Sequence, residues 1–192
     1  QDGVGMSSAS FIKIAENLDV SSIVGSLQRN PQLWDEHNER RVFEGSPHSQ
    51  MVDIWARFGD ISEGFEKLRE PHDSIWYESS NLIDGVREIA FHLMALVQGE
   101  RLGGILITKL DAGKEIMPHV DKGWHAEYYE KLYVSIKSPK GSKFCFEDGV
   151  IESNAGDVYL FRNDRLHWVK NDSDEERITM VVCIKTDLFR GV

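Results

Sequence analysis

Beyond Gly103 the sequence changes texture, and that change limits the fold more than any other feature. Eight short apolar or alternating stretches follow one another: GILITKL, EIMPHVD, KLYVSI, KFCFED, VIES, DVYLFR, LHWVKN and RITMVVCIK. Between them lie the clusters DAGK, SPKGS, EDG, SNAG, NDR and NDSDEE. Short runs rich in β-branched and aromatic residues, punctuated by Gly, Asn, Asp and Pro, read as strands joined by turns. Eight such strands with no helical pattern among them predict a small antiparallel barrel or sandwich.

The residues before Gly103 are mixed and helix-leaning. SSIVGSLQRN opens on a serine cap and carries apolar residues at helical spacing, and DISEGFEKLRE reads as a short amphipathic helix stopped by Pro71. NLIDGVREIAFHLMALVQG is the strongest helix of the chain. Leu82, Val86, Ile89, Leu93 and Leu96 or Val97 form one apolar stripe, Gly99 marks its end, and His92 sits on a helix face. At 192 residues one domain is expected over 1–192, with residues 1–100 packing helices on a β core at 104–187. The fold class is therefore mainly β with N-terminal helices.

Twenty-two basic against thirty-two acidic residues give a net charge of −10. With no concentrated basic patch to offset it, that charge repels polyanions, so nucleic acid is not an expected partner. No apolar run is long enough for a membrane-spanning helix, and QDGVGMSSAS lacks the regions of a signal peptide. Cys145 and Cys183 both lie in apolar strand-like runs and read as buried small hydrophobes. A cytoplasmic setting is the default expectation. The oligomeric state is left open.

Chemistry concentrates in PHVDKGWHAEYYEKLYVSI, residues 118–136. In an extended segment residues i and i+2 point to one side, so His119 and Asp121 converge on one point. That suits two metal ligands, or equally a surface pair. His167, in a later predicted strand, is the third candidate. Two imidazoles and one carboxylate occupy one face of a metal and leave positions open, as non-haem Fe(II) oxygenases require. Arg177 follows His167 by ten residues and opens the last strand. A strand leaving the site, turning through NDSDEE and returning brings this guanidinium back as a bidentate partner for a carboxylate. Alone, it would read as a solvated partner of Glu175 or Glu176.

Taken together, LDAGKEIMPHVD, KLYVSI and NAGDVYLFRNDRLHWVKNDSDEERITMVV resemble the aspartyl/asparaginyl β-hydroxylase branch of the Fe(II)/2-oxoglutarate-dependent oxygenases, which also contains proline hydroxylases. The similarity covers residues 104–186, and SPHSQMVDIWARF at 46–58 is similar to the upstream region of such proteins. The resemblance implies a double-stranded β-helix with Fe(II), 2-oxoglutarate and O2 as cofactor and cosubstrates. It matches His119 and His167 to the iron histidines and Arg177 to the arginine holding the distal carboxylate of 2-oxoglutarate. Lys131, Tyr133, Thr108 and Thr179 fall among the polar groups around that cosubstrate. The animal peptidyl aspartyl hydroxylases of this branch lack a carboxylate two residues after the first histidine. This chain has Asp121 there, so their peptide specificity does not carry over.

In residues 131–136, Lys131, Tyr133 and Ser135 share one face while Leu132, Val134 and Ile136 share the other. That polar face suits either a barrel interior or an exposed surface. The resulting expectation is an oxygenase in which His119, Asp121 and His167 hold Fe(II) and a small polar molecule or peptide side chain is hydroxylated, releasing succinate and CO2. Two alternatives stand beside it: a non-catalytic cupin-like binding module, and a metal-dependent isomerase or 2-oxoglutarate-independent dioxygenase. Trp124 and His125 either gate the pocket or pack a loop. His48 and Arg57 either reach the substrate or serve as a cap and a surface charge. His37 and His72 read as surface residues, and Trp168, facing away from His167, reads as core.

Overall fold

Each of the eight strand-like stretches after Gly103 forms a strand. The protein is described here by a computed structural model in which residues 9–189 are defined, so the opening residues on which the signal-peptide reading falls lie outside the described residues. The strands are β1 (Phe11–Ala15), β2 (Val52–Gly59), β3 (Ser74–Trp76), β4 (Arg101–Leu110), β5 (Glu115–His119), β6 (Glu130–Lys137), β7 (Ser142–Phe146), β8 (Gly149–Ile151), β9 (Val158–Phe161), β10 (His167–Asn171) and β11 (Arg177–Lys185). The helices are α1 (Ser21–Arg29), α2 (Glu39–Val42), α3 (Ser79–Leu82), α4 (Val86–Leu96) and α5 (Trp124–Tyr128).

Two antiparallel sheets face each other. One has seven strands in the order β1-β9-β6-β11-β4-β2-β3, the other four in the order β5-β10-β7-β8. This is the double-stranded β-helix expected. Period-two alternation divides the side chains of β6 between two cores. Leu132, Val134 and Ile136 pack outward with Ile23, Ala90 and Leu93 from α1 and α4, whereas Tyr133 packs inward with Phe144 and Phe161 between the sheets. The polar face of this strand is therefore the barrel interior: Ser135 is fully buried and accepts a hydrogen bond from Ser153 at 3.0 Å.

Upstream of Gly103 the chain is less helical than its pattern suggests. β1, β2 and β3 all pair into the seven-stranded sheet, and β2 carries VDIWARF beside β4. DISEGFEKLRE forms only a 3-10 turn at Phe65–Arg69, because Gly64 at φ 109° interrupts helical backbone just before it. The long helix breaks at Gly85, where φ is 91°, so Leu82 belongs to α3 and is exposed while Val86, Ile89, Leu93 and Val97 carry the buried stripe. The left-handed residue ending α4 is Gln98 and not Gly99. Gly99 donates its N–H to the Met94 carbonyl at 2.7 Å, and a Cβ there would lie 2.7 Å from Ile184, so close packing requires the glycine. Asp19 supports the start of α1 by accepting the Ser21 N–H at 3.0 Å; the serine itself is not the cap. Trp168 is half-buried on the outer side of β10 and belongs to neither core.

The SNAG turn ties the N-terminal segment to the barrel. Gly156 adopts φ 87°, accepts the Leu18 N–H at 3.1 Å and donates to the Ser135 carbonyl at 2.8 Å, while Asp157 accepts the Asn154 N–H at 2.8 Å. A Cβ on Gly156 would meet the Leu18 carbonyl oxygen at 2.5 Å, which is backbone and cannot step aside. Left-handed strain plus that clash should make Gly156→Ala destabilising by about 2–4 kcal/mol, lowering the melting temperature by roughly 5–15 °C. A melting temperature within about 2 °C of wild type, under 1 kcal/mol on the same scale, would contradict this.

Candidate active site

The barrel encloses a cavity of about 170 Å³. Strand pairing brings Thr108, His119, Lys131, Tyr133, His167, Arg177 and Thr179 to its wall, with Asp121 just past β5. β10 lies beside β5 with His167 opposite His119, so two strands distant in sequence place their imidazoles at one level. The ring centres are 4.4 Å apart. Asp121, just past β5, is held by its own N–H to the Asn163 carbonyl at 3.0 Å. Its Oδ1 lies 3.3 Å from His119 Nε2 and 3.7 Å from His167 Nε2. One ligand atom from each of the three lies within 4.8 Å of the others.

Hydrogen bonds orient this triad. His119 Nδ1 faces the Met117 carbonyl at 2.7 Å, and His167 Nδ1 faces the Arg165 carbonyl, also at 2.7 Å. A carbonyl can only accept, so Nδ1 carries the proton in each ring, and both Nε2 lone pairs turn toward Asp121. Phe144, Phe146 and Phe161 surround His167, with ring centres within 5.9 Å. Burial lowers the His167 pKa, which keeps the imidazole a neutral donor. Burial alone would raise the pKa of Asp121, but the Lys131 ammonium outweighs it and holds the carboxyl well below the usual range. Lys131 forms an ion pair with Asp121 Oδ2.

Polar groups for a second ligand line the deeper end. β11 presents Arg177, Thr179, Val181 and Cys183 to the cavity in alternation, and β4 presents Thr108 opposite Thr179. Arg177 is 3 % exposed. Its Nη2 donates to the Tyr133 hydroxyl at 3.2 Å, and no carboxylate among the described residues lies within ion-pair distance. Glu175 and Glu176 pair with Lys137 instead, which removes the solvated reading of Arg177. A buried guanidinium without an acid is costly unless an anion joins it. Tyr133 is fixed in turn by Ser153 at 3.2 Å. The Thr108 hydroxyl donates to Asp53 at 2.7 Å.

The substrate-side candidates separate. His48 and His125 line the cavity. The His48 ring is 4.8 Å from His119, and burial together with the Arg40 charge holds its pKa well below the ordinary value. Burial also pushes His125 down to about 3, and its buried Nε2 has no hydrogen-bond partner. Trp124 and Arg57 are not among the lining residues. Trp124 packs on Tyr128, and the Arg57 guanidinium sits over Trp76 at 5.0 Å, on the helix side of β2. The two presumed surface histidines are half-buried: His37 stacks on Trp55 at 4.6 Å, and His72 stacks on His125 at 5.9 Å. Sequence reading missed Arg40, Phe58 and Cys183, all of which line the cavity. No local pattern singles out Phe58 or Arg40, since the register of β2 shifts between Trp55 and Arg57 and interrupts any alternation before Phe58.

The profile described as aspartyl/asparaginyl beta-hydroxylase matches residues 79–186. No curated protein sequence matches the chain. Among solved structures, the viral collagen prolyl hydroxylase of Paramecium Bursaria Chlorella virus-1, in a 2-oxoglutarate complex, is similar at 12% identity and a TM-score of 0.57, over 96% of this chain and 99% of that one. A prolyl-4-hydroxylase of Pseudomonas putida gives 9% identity and a TM-score of 0.54 over 94% and 95% of the two chains. A 2OG-Fe(II) oxygenase family protein of Burkholderia pseudomallei gives 12% and 0.55 over 92% and 84%. At these identities the likeness is one of fold. The sequence profile goes further, since it spans more than half of the chain and both ends of the His119–Arg177 constellation: this protein belongs to the aspartyl/asparaginyl β-hydroxylase family.

Proposed function

We propose that this protein is an Fe(II)- and 2-oxoglutarate-dependent oxygenase that hydroxylates a C–H bond of a small polar substrate, a free amino acid or a peptide side chain. The observation that carries the reading is the buried Arg177, without an acidic partner, in the same cavity as the His119–Asp121–His167 triad. A metal-binding module has no use for such a cation, and an oxygenase independent of 2-oxoglutarate has none either.

The donor set fits iron: two neutral imidazoles and a carboxylate, with the outer ring nitrogens already bonded to carbonyls. Iron held there supplies the activation of O2, with 2-oxoglutarate oxidised to succinate and CO2 as the substrate C–H becomes C–OH. The rest is work for the chain. Arg177 receives the far carboxylate of 2-oxoglutarate, with the Tyr133 hydroxyl beside it and Thr179 and Thr108 completing the polar wall. Lys131 balances Asp121 and adds positive potential for the incoming dianion. Phe144, Phe161, Val169 and Ile116 keep the cavity dry, so these contacts are made at low dielectric. A volume of about 170 Å³ is well below the roughly 300–1,000 Å³ of drug-sized sites. It suits a small cosubstrate inside and a substrate presented at the entrance. Two free buried cysteines accord with a reducing compartment, and none of the described helices is long and apolar enough to cross a membrane.

The test is calorimetric. 2-Oxoglutarate titrated into Mn(II)-loaded protein under nitrogen should bind with one-to-one stoichiometry, and binding should weaken sharply when the metal is removed by chelation. Equal affinity with and without metal would contradict a shared site.

A further inference from the structure

Arg57 is the centre of a cluster of three arginines drawn from β2, α4 and β4, none of which lines the cavity. Arg57 and Arg87 both stack on Trp76 of β3, with their guanidinium carbons 5.0 and 4.2 Å from the ring centre. The indole holds the two cations by its π face but neutralises neither. Among the described residues Arg57 has no hydrogen-bond or ion-pair partner, and its Nε is buried without one. Arg87 donates from Nη2 to the Ser80 hydroxyl at 3.0 Å and to Asn81 Oδ1 at 3.3 Å, both neutral acceptors. Of the three, only Arg101 is paired with a carboxylate among the described residues, that of Asp73. Burial chiefly, with the charges of Arg87 and Arg101 adding to it, lowers the pKa of Arg57.

Asp73 is the one carboxylate that acts appreciably on Arg57, so three guanidiniums meet one acid and two positive charges remain. The chain as a whole carries −10, so this excess is a local feature and not a consequence of composition. Positions 57, 87 and 101 are too far apart in sequence to form a basic run, and only the fold assembles them. A half-buried guanidinium without hydrogen bonds is costly until an acceptor joins it. The excess matches one phosphate monoester, which carries a charge of about −2 at pH 7 and several strong acceptor oxygens. Planar guanidinium forks suit those oxygens, and a monocarboxylate would leave half of the excess in place. Beside the cations, Phe91 is 56 % exposed with its ring centre 6.3 Å from that of Trp76, and Ile75 is exposed as well. Apolar surface next to two guanidiniums suits the carbon body of an ester.

We propose that Arg57 and Arg87 bind a phosphate monoester beside Trp76, at a site separate from the catalytic cavity and independent of the oxygenase reading. The two forks hold the phosphate, Arg101 adds attraction at longer range, and the organic body rests against Phe91. A small phosphorylated metabolite and a phosphorylated side chain of another polypeptide present the same dianion, and the probes below tell them apart.

Phenyl phosphate, a phosphoserine peptide blocked at both ends and inorganic phosphate are titrated calorimetrically into the full chain. Saturable one-to-one binding is expected, tighter for an ester than for inorganic phosphate and weakened by added salt. Phenyl phosphate ahead of the peptide assigns a small ester, and the reverse order assigns a modified polypeptide. Arg57→Gln and Arg87→Gln should each weaken binding of the tighter ester by about 10-fold or more, the scale of one hydrogen bond to a charged group. The double variant should abolish it while 2-oxoglutarate affinity of the Mn(II)-loaded protein is retained. Arg87→Lys keeps the charge without the fork and should fall between wild type and Arg87→Gln. Thermal melting checks that each variant is folded, and if Arg57→Gln is not, the two Arg87 variants decide. Absence of saturable ester binding up to about 10 mM overturns the proposal. So does unchanged ester affinity in folded Arg87→Gln, or a loss seen in Arg177→Ala instead, which would place the anion in the cavity.

Discussion

Replacing His167 with alanine should abolish stoichiometric Fe(II) binding, weakening metal affinity by more than about 100-fold, beyond the 10–100-fold typical of losing only an outer-shell partner. The ring has no substitute nearby: Phe144, Phe146 and Phe161 surround it and offer no donor. His119→Ala should behave alike, because Asp121 Oδ1 faces the Nε2 atoms of both histidines and a site with two remaining ligands lacks its facial geometry. Asp121→Ala removes the only carboxylate of the triad and leaves Lys131 unpaired beside the ion, yet it retains both imidazoles. A smaller loss with residual turnover is expected there. Mn(II) titration of the three variants, with thermal melting as a check on folding, decides the matter. A His167→Ala protein that is folded and binds Mn(II) as wild type would remove His167 from the site.

The second large effect concerns Arg177. Its alanine variant should lose about 30- to 1000-fold in 2-oxoglutarate affinity, the equivalent of roughly 2–4 kcal/mol for a charge-assisted bidentate contact in a desolvated pocket. Metal affinity should change little, since Arg177 bonds Tyr133 and touches none of the triad. Arg177→Lys keeps the charge but loses the planar fork, so it should recover only part of the binding. The separation of the two affinities is the discriminating feature. Equal weakening of metal and 2-oxoglutarate would point to a collapsed barrel, and no change in either would leave the buried guanidinium without a role.

The parts of this site legible in the sequence are those carried by strands. Period-two alternation places His119 with Asp121, and Lys131 with Tyr133, on shared faces, and short turns bring the strand of Arg177 back beside its neighbours. The three-dimensional register then sets His167 opposite His119, which alternation alone cannot specify because it is silent on which strands pair. The upstream region was harder for a physical reason. β2 is buried on both faces and pairs with β4, more than forty residues away, so VDIWARF shows no clean alternation and the strand is stabilised by tertiary pairing. Arg40 leaves no trace in local pattern, because its place at the cavity wall is fixed by Asp53 on another element. Gly85 was legible as a residue type, but only its left-handed backbone reveals that it splits the helix. For Trp124 the sequence leaves gating and loop packing equally open, and only the short helix α5 shows the ring against Tyr128 while His125 lines the cavity.

The central claim is that one cavity holds both the redox metal and a dicarboxylate that is consumed with O2. The most direct measurement is succinate formation from 2-oxoglutarate by purified protein with Fe(II) in air, without added substrate and then with free amino acids and short peptides. Slow succinate release that requires Fe(II), 2-oxoglutarate and O2 together, disappears in His167→Ala and needs far more 2-oxoglutarate in Arg177→Ala is the expected result. Protein that binds both Fe(II) and 2-oxoglutarate yet forms no succinate under any of these conditions would contradict the account.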